Sequence, residues 1–327
     1  IGMAISFFSV TSILSVFLTK YLMDMGEYSF HFPLTMAWFH LIVSLLCIIC
    51  TYNLNRLVID LFKLKKTNHL IRTCFSFLPD FEFKFDTAVQ IAPVSLCYVG
   101  MVTFNNLCLD YADIHTYHTA RSISICFTVI FTSVLLGEKV QKRIIGACLM
   151  IAIGYFMTGF EELQLSKMQS IGFAFGLMSS CFMALYSIYL KKLMSSSHRN
   201  HWIILIYNVV CAILFLFPVC YFTGEFEKAI SVNYLFEPKF LAILTTTALI
   251  AYVVNISNFM LISYTSPLTT SVTISMKSVV ESFLSFAVHN THVSTYGLLS
   301  SAFTVVGTYL YSYFKVKDKR EFEGLVD

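Results

Sequence analysis

The sequence is poor in charge: 13% of its 327 residues are Asp, Glu, Lys or Arg, about half the share of an ordinary soluble domain. It is also poor in chain breakers, with 6 Pro and 13 Gly. The first scarcity excludes a water-soluble enzyme and a disordered chain, and the second excludes low-complexity segments. A net charge of +3 is too small to mark a nucleic-acid partner. Cysteine is present ten times, but apart from Cys74 every copy falls inside an apolar run. They read as small apolar helix residues, which excludes a disulfide-stapled secreted module. Cys47 and Cys50 form a C-x-x-C with no second Cys or His pair at zinc-site spacing, so no metal and no cofactor is expected. The chain starts at Ile1 and not at Met, so a native N-terminal segment is expected to precede it.

What is there is apolar: 57% hydrophobic residues and a mean hydropathy of +0.73. Runs of membrane-spanning length fall at about 1–23, 32–52, 87–110, 113–135 and 143–160, then at about 169–194, 201–223, 237–263, 267–288 and 294–315. The short alternating segments of an outer-membrane barrel are absent. Five spans per half force the second half to enter the membrane from the opposite side. The last spans of the halves rhyme, Ile153-Gly154-Tyr155 against Val306-Gly307-Thr308-Tyr309. The expected fold is an all-α polytopic membrane protein of ten transmembrane helices in two inverted five-helix repeats, 1–160 and 161–327. A cytosolic loop at about 53–86 and a cytosolic C-terminal tail complete it. A homodimer is compatible with this plan, and the lipid bilayer is its first partner.

Basic residues set the orientation. The termini and the loops on their side hold 16 of the 22 Lys and Arg residues, among them Lys63, Lys65, Lys66, Lys191, Lys192 and the tail. The positive-inside rule therefore places both termini in the cytosol. The sequon Asn255-Ile256-Ser257 lies mid-span and is expected to be unmodified.

Ionisable groups within spans are costly and invite function. Arg121 lies on span 4, and Lys277 and Glu281 lie on span 9, the equivalent span of the other repeat. Counted back from the matched glycines, the two cations are offset by about one helical turn. Two fixed positive charges in a shielded cavity suit a substrate with two phosphate charges. Two readings stand for Lys277: a phosphate ligand, or a closed structural pair with Glu281 four residues on. Arg121 has either a direct substrate role or partners in Asp110 and Asp113 near the span 3–4 turn. Lys20, near a span end, is expected to snorkel to the interface. Thr103, Asn105 and Asn106 on span 3, Tyr117, His118 and Thr119 on span 4, Tyr186 and Tyr189 on span 6, and Tyr207 with Asn208 on span 7 supply polar and aromatic groups. Such groups stack and read a base, or glue helices together.

The run Met101-Val-Thr-Phe-Asn-Asn-Leu-Cys-Leu-Asp-Tyr111, followed by Tyr117 and Arg121-Ser122, resembles spans 3–4 of GDP-fucose transporters. Val10-Thr-Ser12 with Val16-Phe-Leu-Thr-Lys-Tyr-Leu22, and Thr265-Ser-Pro-Leu-Thr269 with Lys277, resemble the same group. These are nucleotide-sugar transporters of the drug/metabolite transporter superfamily. The resemblance implies a Golgi or endoplasmic reticulum antiporter that imports GDP-fucose in exchange for GMP, without catalytic residues. It also implies a nucleotide-binding F-Y-N-N motif on span 7, which reads here Ile206-Tyr207-Asn208-Val209. On span 9 the small residue before the substrate-facing lysine has become Ile274, and a Gln one turn after it has become Glu281. The implied phosphate ligands are Lys277 and Arg121. The implied nucleotide and sugar contacts are Tyr207, Asn208, Tyr117, Asn105, Asn106, Ser271, Ser275 and Tyr186. A transporter of another nucleotide sugar or of an organic phosphate is the nearest alternative. A membrane-embedded glycosyl-transfer enzyme or an accessory membrane protein is the alternative of another class.

Overall fold

A computed structural model describes residues 2–25, 28–61, 84–112, 114–137, 141–165, 167–196, 201–265, 267, 270–274, 276–278, 280–281 and 295–323. The described residues are helical or connect helices, with no strand among them. The helices are α1 Gly2–Lys20, α2 Pro33–Leu61, α3 Phe85–Tyr111, α4 Ile114–Ser122, α5 Ser124–Leu136, α6 Lys142–Leu165, α7 Lys167–Ser196, α8 His201–Phe222, α9 Glu225–Ile230, α10 Pro238–Tyr264 and α11 Thr295–Glu323. Residues 270–274, 276–278 and 280–281 are also helical.

Among the described residues six helices are long and apolar enough to cross a membrane: α1, α2, α3, α7, α8 and α10. Their apolar side chains face outward as well as inward, as with Phe7, Leu46, Leu96 and Leu214, which is the pattern of helices bathed in lipid. The chain is an all-helical polytopic membrane protein.

Several expected boundaries differ from the observed ones. Helix α2 runs on to Leu61 and α11 to Glu323, past the apolar runs, because the mixed polar and apolar residues that follow hold no Pro or Gly to stop the helix. Expected span 4 is two helices, α4 and α5, meeting at Ile123. Its broken ladder is served by hydroxyls: Ser124 Oγ donates to Arg121 O at 2.7 Å, and Ser180 Oγ from α7 donates to Ala120 O. Side-chain donors of this kind satisfy backbone carbonyls where no water reaches them.

Packing follows a plan. Helix α3 lies along α7 and α8, α10 lies along α1 and α2, α2 meets α8, and α6 lies along α11. The last contact is close because glycines make it. A Cβ on Gly154 would stand 2.6 Å from Thr304 Oγ1 and 2.7 Å from Ser300 O. One on Gly307 would stand 2.8 Å from Ile151 Cγ1 and 3.0 Å from Ile151 N. Small residues let membrane helices approach to this distance. The glycines that rhyme in the sequence thus share one interface.

Lys20 does not snorkel. It is 7% exposed and donates to Leu109 O at 2.7 Å and Ala112 O at 3.4 Å, at the end of α3. Lys191 of α7 donates to Ser263 O at 2.7 Å and Ile262 O at 3.4 Å, at the end of α10. The last carbonyls of a helix lack intrahelical donors and carry partial negative charge, so an ammonium is favoured there. At the start of α2, the Glu225 carboxylate accepts from the backbone N–H groups of Leu34 and Thr35 at 3.0 and 3.3 Å. Burial pushes the Glu225 carboxyl above the usual range, and those two N–H groups pull the other way.

Candidate functional site

The break at Ile123 leaves Arg121 in the last turn of α4, and its half-buried side chain lines a central cavity. The cavity holds about 930 Å³ of empty space, part of it continuous with solvent. Its walls come from α1, α2, α3, α4 and α10, with Ser12, His40, Asn105, Asn106, Tyr117 and Asn258 among the polar lining.

Arg121 Nη1 donates to Asn105 Oδ1 and to Tyr117 OH, both at 2.6 Å, and Nη2 approaches Met183 Sδ at 3.8 Å. Its guanidinium also stands 5.4 Å from the Tyr117 ring centroid. These partners are an amide, a phenol and a thioether. They orient the fork without cancelling its charge, and Nε is buried without a hydrogen-bond partner. Of the carboxylates expected near the span 3–4 turn, Asp110 stands 3.3 Å from His31 Nδ1 instead. Asp113 lies outside the described residues, as does the side chain of His118.

Lys277 is close enough to Arg121 for the two charges to act on each other. Its ammonium donates to Ser12 Oγ at 2.6 Å and to Glu281 Oε1 at 3.0 Å, and it stands 5.7 Å from the Phe8 ring centroid. Its side chain is 1% exposed and that of Glu281 0%. The pair with Glu281 is therefore formed. Two of the three ammonium N–H donors are used in these contacts.

The other expected contacts divide. Asn105, Asn106 and Tyr117 line the cavity with Arg121. Tyr207 and Asn208 are buried at the α3–α8 contact instead: Tyr207 OH accepts from the Lys84 backbone N–H, and Asn208 Oδ1 accepts from Ser95 Oγ at 3.0 Å. Tyr186 lies behind the lining, its ring 5.3 Å from that of Tyr98. Ser271 Oγ is 2.8 Å from Thr128 Oγ1 and bonds Pro267 O at 3.0 Å, tying the span 9 segment to α5. Ser275 lies outside the described residues. No group of three or more His, Cys, Asp or Glu that would hold a metal occurs among the described residues.

Sequence reasoning missed His40, Asn255 and Asn258, which also line the cavity. His40 Nε2 lies 3.2 Å from Thr247 Oγ1 of α10. The available signal was spacing: Thr247, Ala251, Asn255 and Asn258 follow one another by three or four, one stripe of a helix.

Comparison with known proteins bears on the family and the fold. A solved crystal structure matches with a TM-score of 0.55 at 11% identity, covering 94% of this chain and 98% of its own, which concerns the fold alone. GDP-fucose transporter 1 of Dictyostelium discoideum is 33% identical over 312 residues, 95% of this chain and 80% of that protein. The GDP-fucose transporter of Caenorhabditis elegans is 28% identical over 97% of this chain and 83% of its own. GDP-fucose transporter 1 of Mus musculus is 27% identical over 87% and 74% respectively. The model of the Triose-phosphate Transporter family matches residues 1–312. Membrane-embedded helices, a polar cavity between them and an alignment over nearly the whole length lead to one assignment: the chain is a transporter, not an enzyme, and belongs to the Triose-phosphate Transporter family.

Proposed function

We propose that this chain is a nucleotide-sugar antiporter that carries GDP-fucose into the Golgi or endoplasmic reticulum lumen in exchange for GMP, by alternating access. The observation that carries the reading is Arg121. It is a cation among apolar helices, oriented by neutral partners at 2.6 Å and lining a polar cavity between them. A charge kept in place without hydrogen-bonded neutralisation suits an anionic guest, and a guanidinium fork suits phosphate oxygens. Lys277, one N–H still available, is the second phosphate ligand. The relatives named GDP-fucose transporters supply the base and the sugar.

The architecture proposed is ten spans in two inverted repeats, with α4–α5, α6, the 270–281 segment and α11 completing the six strongly apolar helices. The packing supports it. The contacts α3–α7 and α3–α8 answer α10–α1 and α10–α2, while α2–α8 and α6–α11 answer themselves. The lysine at the end of the first helix of each repeat caps the third helix of the same repeat, Lys20 on α3 and Lys191 on α10. A discontinuous helix beside the substrate cation belongs to the same transporter plan.

The test is counterflow. Proteoliposomes of purified protein, preloaded with labelled GMP, should exchange it for external GDP-fucose and GMP. Arg121→Ala removes a charge-assisted contact worth roughly 1.5–3 kcal/mol, so half-maximal exchange should need about 10- to 150-fold more substrate. Stronger competition by UMP, CMP or a triose phosphate than by GMP would overturn the substrate assignment.

A further inference from the structure

We propose that Asn255 and Asn258 of α10, beside the Tyr98 ring, are the residues that read the base of the transported nucleotide. This rests on the reading above, that the cavity takes a guanine nucleotide. Helix α10 presents Ala251, Val254, Asn255 and Asn258 to the cavity, and Tyr98 of α3 lines it with them. The Asn255 amide is the polar neighbour of the Tyr98 hydroxyl. Asn258 Oδ1 is shut off from water and has no hydrogen-bond partner. A polar atom in that state, in a helix otherwise apolar enough to cross a membrane, calls for an explanation.

Comparison of the two third helices supplies one. Both α3 and α10 have 27 residues and end on a tyrosine. Asn105 stands six residues before Tyr111, and Asn258 six before Tyr264. Ten residues beyond Tyr111 comes Arg121, which fills the Asn105 carbonyl. Ten beyond Tyr264 comes Ile274, which has no donor to offer Asn258. The same amide is used up in one half and open in the other.

Guanine presents the matching groups. Its edge carries N1–H and N2–H2 donors beside an O6 acceptor, and an amide both accepts and donates. An aromatic ring beside the amides offers a stacking surface. Tyr207 OH and Asn208 Oδ1 are engaged at the α3–α8 contact, and neither residue lines the cavity, where the amides of α10 stand across from Asn105 and Asn106 of α3. The mid-span position of Asn255-Ile256-Ser257 then has a role other than glycosylation.

The probe is the pair GMP and IMP, which differ only by the exocyclic amine. In competition against labelled GMP counterflow, the wild type should prefer GMP over IMP by about tenfold. Asn258→Leu and Asn255→Leu should each bring that ratio to within about twofold. Where a leucine variant fails to fold, Asn258→Ala and Asn255→Ala are compared instead by the thermal shift that GMP and IMP produce in detergent. A ratio unchanged from wild type in both positions overturns the α10 subsite and leaves the transporter reading standing. Loss of GDP-fucose affinity with an unchanged GMP to IMP ratio assigns the amides to the sugar and overturns it equally. A wild type that exchanges no guanine nucleotide removes the substrate reading itself.

Discussion

A lysine paired with a glutamate one turn away inside a membrane protein is compensated but still costly, because both ions have left water. Lys277 and Glu281 are in that position, with side chains 1% and 0% exposed. Lys277→Met alone takes the ammonium partner from a buried carboxylate, which should cost about 3–5 kcal/mol and appear as a lower melting temperature in detergent. Adding Glu281→Gln removes the stranded charge and should return most of that stability. Transport separates the two roles: as a phosphate ligand Lys277 is still missing from the double variant, so exchange stays at least about tenfold impaired. Full recovery of exchange would reduce Lys277 to a structural partner. The pair itself was legible in the sequence, since four residues make one helical turn. Ser12, which takes a second N–H of Lys277 from 265 positions away, was not legible, because no local pattern reports on a contact between α1 and the helical segment that carries Lys277. Arg121 was legible for the same reason as any intramembrane charge. That its fork rests on Asn105 and Tyr117, and not on an aspartate, depends on how α3 and α4 turn toward each other.

At the scale of elements, the sites where helices touch most closely are the sites where substitution should matter. Gly154 and Gly146 lie on the same helix, yet a Cβ on Gly154 meets Ser300 O at 2.7 Å and one on Gly146 meets nothing within 4 Å. A backbone carbonyl cannot swing aside as a side chain does. Gly154→Ala should therefore cost about 1–3 kcal/mol by overpacking, while Gly146→Ala stays within about 0.5 kcal/mol. Equal melting temperatures for the two variants would mean that α6 and α11 are not packed through Gly154. Apolar runs located most helices well, because a span must be apolar for its whole length. They missed the break at Ile123, where the polar α4 gives way to the apolar α5 and serine hydroxyls from α5 and α7 mark the interrupted ladder. They also mistook Lys20 for a residue reaching to the interface, since the carbonyls that hold it belong to the end of α3, 89 and 92 positions away.

For the molecule as a whole, the proposed orientation rests on charge and the proposed two halves on packing, and both bear on the lysine caps. Lys20 ends α1 and Lys191 lies five residues before the end of α7, the first helices of the two proposed halves. In the proposed inverted plan those caps stand on opposite faces of the membrane, binding α1 to α3 on one side and α7 to α10 on the other. With 16 of 22 basic residues on the side that ten spans assign to the termini, the proposed plan assigns Lys191 to the cytosolic face and Lys20 to the lumenal one. A tag after Asp327 should then be removed by protease from sealed microsomes without detergent. A tag inserted between Ser231 and Tyr234, in the turn that follows α9, should survive until detergent is added. Protection of the C-terminal tag together with exposure of the second would invert the orientation. Cleavage of both in sealed vesicles would put an odd number of spans between them at fault, and with it the assignment of α10, the 270–281 segment and α11 as three successive crossings.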